Sequence, residues 1–129
     1  MHHDLKAVRA TLHAAQIAAA FSDWLHDDGD HLTEAADLLG GTKWKNRADA
    51  VLAGVKNGVS PANLVDDLSN LHRLLTLEFT YDLDSDEAAL FMSLHPDDPR
   101  ADDARLCAEA LQRGLVALAT VAAAEQRAA

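Results

Sequence analysis

Between Asp4 and His26 the chain has no glycine or proline, and its apolar residues recur at helical spacing on two separate faces. At about 100° per residue, Leu5, Val8, Leu12, Ala15 and Ala19 form one narrow stripe. Ala10, Ala14, Ile17, Phe21, Trp24 and Leu25 form a second, and Lys6, Arg9, His13 and Gln16 share the polar strip that remains. A helix on the surface of a globular protein needs only one apolar stripe. Two stripes predict either a central helix packed on both sides or a helix that also meets another subunit. At about 1.5 Å per residue this helix is roughly 33 Å long, enough to cross a small domain.

The rest of the chain divides at helix start and stop signals. Asp27-Asp28-Gly29-Asp30 predicts a break, with Asp30 capping a short helix from His31 to Leu39 that ends at Gly40-Gly41. Thr42 is the expected cap of a third helix, Lys43 to about Asn57, with Trp44, Ala48, Val51, Leu52 and Val55 facing inward and Gly58 just past its end. Ser60-Pro61 is the clearest start signal, since serine caps well and proline suits the first helical position. The fourth helix is expected from Pro61 to about Thr80, its core stripe running from Leu64 to Phe79. Asp84 followed by Glu87 has capping-box spacing for a short fifth helix, Asp86 to Leu94. His95-Pro96-Asp97-Asp98-Pro99 interrupts the pattern, because each proline restricts the residue before it. Asp98 then caps a last helix to about Glu125, after which the tail should fray. Gly114 falls on the inner face of that helix, which predicts a close helix crossing there.

The fold class is therefore all-α: a compact bundle of five to six helices in a single domain spanning residues 1–129, with the first, fourth and last helices forming the core. Only 5% of residues are aromatic, so Ala, Leu and Val must fill most of that core. Cys107 has no intrachain partner and reads as a small core residue. The most apolar-looking run, Ala14 to Phe21, is far shorter than the about 20 residues of a membrane helix. The N-terminus lacks the pattern of a secretory signal. A soluble, cytoplasmic protein without membrane association is expected.

The formal charge of −10 disfavours direct binding to nucleic acid. Eight acids lie between residues 82 and 103, namely Asp82, Asp84, Asp86, Glu87, Asp97, Asp98, Asp102 and Asp103, against one base, Arg100. Helix starts favour acids by themselves, yet acids spaced along a helical scaffold also imitate a row of phosphates. Asp82-Leu83-Asp84-Ser85-Asp86 has the alternation of a calcium loop, but Glu87 stands where that loop needs glycine and Ser93 where it needs a bidentate glutamate. His26-Asp27-Asp28-Gly29-Asp30-His31 gathers imidazoles and carboxylates, without the spacing of a zinc or di-iron motif. His72 borders the apolar face of the fourth helix, and Lys45 and Arg47 border the ring of Trp44. No nucleophile motif, P-loop or dinucleotide fingerprint is present.

These features predict no cofactor, no resident metal and no catalytic residue. The expected function is a non-enzymatic protein-binding or regulatory module, in its sharper form an acidic inhibitor of a nucleic-acid-binding protein or defence complex that uses the eight acids. Its partner is another protein with a basic surface, and homodimerisation is a further expectation. The alternatives are a small metal-binding protein or enzyme using His26, His31, His72 or His95, and a structural subunit of a larger assembly.

Overall fold

A computed structural model describes residues 5–95 and 97–128. Asp4, Pro96 and Ala129 lie outside the described residues. The described residues form six α-helices: α1 (Leu5–Asp28), α2 (Asp30–Gly40), α3 (Thr42–Lys56), α4 (Val65–Leu75), α5 (Asp86–Ser93) and α6 (Pro99–Ala128). Short 3₁₀ turns at Pro61–Leu64 and Glu78–Tyr81 flank α4, and no strand occurs among the described residues. The all-α bundle expected from the periodicity is the fold observed.

Several ends follow the local chemistry. Ser60 Oγ accepts from the Ala62 N–H, with Pro61 at the next position. Asp98 Oδ1 accepts from the Arg100 N–H at 2.9 Å at the start of α6. Gly58 has φ of 88°, a left-handed conformation open to glycine at a helix C-terminus.

Other ends differ. α1 runs on to Asp28, and a single right-handed residue, Gly29, separates it from α2, so Asp30 is helical and caps nothing. Gly29 is buried, and a Cβ there would run into the Leu25 carbonyl and the Leu52 side chain, so the close junction of α1 and α2 against α3 suits glycine. Gly41, not Thr42, precedes α3, and no side chain caps that helix. The long fourth helix is interrupted at Leu77, whose φ of 66° is left-handed. That kink sets Phe79 against Trp44, ring centroids 5.3 Å apart. Ser85 caps α5 through the Ala88 N–H, and Glu87 is drawn instead to Trp44. The expected frayed tail is helical through Ala128.

The core is centred differently from the expectation. α2 packs on α3, α4, α5 and α6, whereas α1 packs on α6 and, more lightly, on α3. Leu32, Leu68, Leu71 and Leu111 are fully buried, and α1 adds Phe21 and Leu25 from its last two turns. α1 and α6 run antiparallel: Gly114 lies under Phe21, while Ala14 lies near Ala117. A Cβ on Gly114 would come within 2.6 Å of Phe21 Cδ1, which is the close crossing the glycine predicts. Only one of the two stripes of α1 is used. Leu5, Val8 and Leu12 remain 67%, 48% and 60% exposed.

α6 is long and apolar enough to cross a membrane by length and composition, with a mean hydropathy of 1.4 in its most apolar window. Glu109 and Arg113 interrupt its apolar residues, so no long uninterrupted apolar run marks this helix in the sequence. The same helix supplies Ala104, Cys107, Ala108 and Leu111 to the core.

Candidate functional site

An apolar trough of about 640 Å3 lies between the end of α4, α5 and the first half of α6. Its floor follows from the spacing of small residues on α6. Ala101, Ala104 and Ala108 recur on one face and leave space that a leucine would fill. Leu75 and Leu77 close one side, and Phe91 of α5 with Leu94 just after that helix form the other. Phe91 is 39% exposed, so the trough opens to solvent. From Ala101 to Arg113 it is about 18 Å long at 1.5 Å per residue.

The rim is polar along that length. Arg105, Glu109, Gln112 and Arg113 project from α6, and the half-buried His72 projects from α4. Arg105 Nη1 donates to Glu109 Oε1 at 2.9 Å and its Nε lies 4.0 Å from Asp102. The rim thus holds two guanidiniums, of which Arg105 is engaged by Glu109 and Asp102 while Arg113 makes no ion pair among the described residues, in a chain whose net charge is −10. Sequence reasoning marked His72 as a border residue but missed the trough. The available signal was three alanines at helical spacing opposite Phe91 and Leu94.

The eight acids are spread over several segments. Asp82 and Asp84 lie in the turn before α5, where Asp82 Oδ1 accepts from the Asp84 N–H at 3.1 Å. Asp86 is exposed in the first turn of α5. Glu87 Oε1 accepts from Trp44 Nε1 at 2.8 Å, and this bond, with Lys43 and Arg47 nearby, holds its carboxyl below the usual range. Asp97 is exposed before α6, and its N–H donates to His95 Nδ1. The Arg100 guanidinium beside Asp98, 2.6 Å away, lowers that carboxyl to about 2. Asp102 borders Arg105, and Asp103 lines a small pocket with His31 and Cys107.

Arg47 lies over the Trp44 ring at 4.5 Å, so this basic residue of α3 borders a buried aromatic. Burial, with Asp103 and Glu34 nearby, pushes the Cys107 thiol up to about 11, which suits a core residue rather than a nucleophile. His26 pairs with its neighbour Asp27 at 2.9 Å, and His26, His31, His72 and His95 lie on four different segments. Among the described residues no group of three His, Cys, Asp or Glu side chains is placed to hold a metal ion. No family model, curated protein or solved structure matches the chain.

Proposed function

We propose that the chain is a soluble, cytoplasmic, non-enzymatic binding module whose trough takes an amphipathic helix of a partner protein, apolar on one face and acidic along its flanks. The observation that carries this reading is an apolar trough of about 640 Å3 whose rim presents Arg105 and the unpaired Arg113 on an otherwise acidic chain. That volume is in the range of roughly 300–1,000 Å3 typical of ligand sites. Its length of about 18 Å accommodates three turns of helix, whose anchors at i, i+3/i+4 and i+7 would meet Phe91, Leu94 and Leu75. An acyl chain would use a charged partner at one end only, whereas here Arg105, Glu109, Gln112 and Arg113 border the whole floor.

The test uses a designed 15-residue amphipathic helix with leucines on one face and glutamates on both flanks, titrated into the isotope-labelled chain. Amide shifts are expected around Ala104, Leu94 and Leu75, with weaker binding by about tenfold for A101W, which fills the trough. A lysine-flanked version should bind less tightly. No shifts at millimolar peptide, or equal affinity of the A101W variant, would overturn the reading.

A second reading keeps the acids as the binding surface. It is favoured by the exposure of Asp82, Asp84, Asp86 and Asp97, which make no ion pair among the described residues. It expects the tagged chain to capture a basic nucleic-acid-binding protein from nuclease-treated lysate and release it as salt rises. Capture should fail for the D82N/D84N/D86N variant. Glu87 stays unchanged there because Trp44 donates to it. Equal capture by the variant ends this reading.

A further inference from the structure

Leu5, Val8, Leu12, Ala15 and Ala19 are exposed on the face of α1 that points away from its buried stripe, so one chain leaves this row uncovered. Of the two packings that a two-striped helix allows, the bundle excludes the central one. We infer that the row is covered by α1 of a second copy, with the two α1 helices antiparallel.

Two properties of the row select both the occupant and its direction. The first is volume. The bulky members, Leu5, Val8 and Leu12, occupy the N-terminal half, and the small ones, Ala15 and Ala19, the C-terminal half. A parallel pair would crowd leucine on leucine at one end and leave a gap between alanines at the other. An antiparallel pair centred near Gln16 seats Leu12 of each copy over Ala19 of its partner, large against small, and brings the two Ala15 residues together near the axis.

The second property is charge. Arg9, Gln16 and Asp23 recur every seven residues and therefore follow one flank of the row. All three are exposed. In an antiparallel pair the same flanks face each other. Arg9 of one copy then meets Asp23 of the other, twice by symmetry, with Gln16 at the two-fold axis. The dipoles of the two helices also oppose one another in this arrangement. A parallel pair would bring like ends together and leave these matches unused. The contact is isologous, so it closes at two subunits.

The surface lies on α1, away from the trough between α4, α5 and α6, so each can be tested without the other. Light scattering on the full chain at sub-millimolar concentration should give a dimer. L12D, at a side chain outside the core, should give a folded monomer with an unchanged circular dichroism spectrum. R9E should weaken the dimer by about tenfold, two exposed ion pairs being lost, and R9E/D23R should restore it. Direction is read by cross-linking. A15C should form an intermolecular disulfide and L5C should not, while the buried Cys107 stays reduced in both. A monomeric wild-type chain, a dimer untouched by L12D, or efficient cross-linking through L5C would each overturn the inference.

Discussion

Replacing Gly114 by valine is expected to lower stability by about 3 kcal/mol, the upper part of the range for overpacking a tight contact. For a domain of this size that corresponds to a fall in Tm of roughly 10 °C. The reason is the ring of Phe21. A Cβ at position 114 would lie within 2.5 Å of Cδ2 and 2.6 Å of Cδ1, and that ring is itself 5% exposed with the core around it. It is not the loose end of a flexible chain, so α1 and α6 must separate. Alanine at the same position sharpens the test, because two effects of opposite sign compete. Mid-helix glycine to alanine gains about 1 kcal/mol of helix propensity. The clash costs more than that, and the expected net loss is about 1 kcal/mol. Adding F21L should recover much of the loss in the alanine variant by removing the ring edge. Thermal and urea melts followed by circular dichroism measure all of these. An alanine variant more stable than wild type would show that the crossing is not tight.

The features of this fold that were readable in sequence are those decided by a few adjacent residues. Ser60-Pro61 starts a helical segment, Asp98-Pro99 starts α6, and Gly58 follows α3 in a left-handed conformation, because caps and turn residues act on their own backbone. Gly114 was readable for a related reason: a glycine on an apolar helical face has few uses other than close approach. What was not readable depends on residues far apart in the chain. Glu87 has the spacing of a capping box with Asp84, but the indole N–H of Trp44, 43 residues away, holds its carboxylate and Ser85 caps α5 instead. Leu77 carries none of the usual signals of a helix stop, being neither glycine nor asparagine, yet its φ of 66° is left-handed, and Phe79 beyond it lies against Trp44. The two stripes of α1 were seen, but periodicity alone could not say which one the bundle covers. The trough was invisible because it is a shared absence of volume, three alanines of α6 facing side chains from two other helices. The eight acids were easy to see as a run, whereas their separate engagements with Trp44, Arg100 and Arg105 required the fold.

Removing Trp44 is expected to have the largest effect of any single truncation in the chain. The side chain is 3% exposed, lies 5.3 Å from Phe79, supports Arg47 over its face at 4.5 Å and donates to Glu87 at 2.8 Å. Tryptophan to alanine at such a site costs about 3–5 kcal/mol, a large part of the stability of a small domain. W44F separates the ring from its N–H. It keeps most of the packing and loses the bond to a charged acceptor, for an expected cost of about 1–2 kcal/mol at neutral pH. The pH dependence assigns that cost. Trp44 holds the Glu87 carboxyl below its ordinary value of 4.5, so the stabilisation is fully present above that value. It is lost as pH falls through the lowered value in the folded chain, where the carboxylate takes up its proton. The gap between wild type and W44F, measured by urea melts, should therefore be constant from pH 7 to about 5 and narrow steadily below about 4. A gap that stays the same down to pH 3 would mean that W44F acts through packing alone and that the bond to Glu87 contributes nothing to holding α5 against α3.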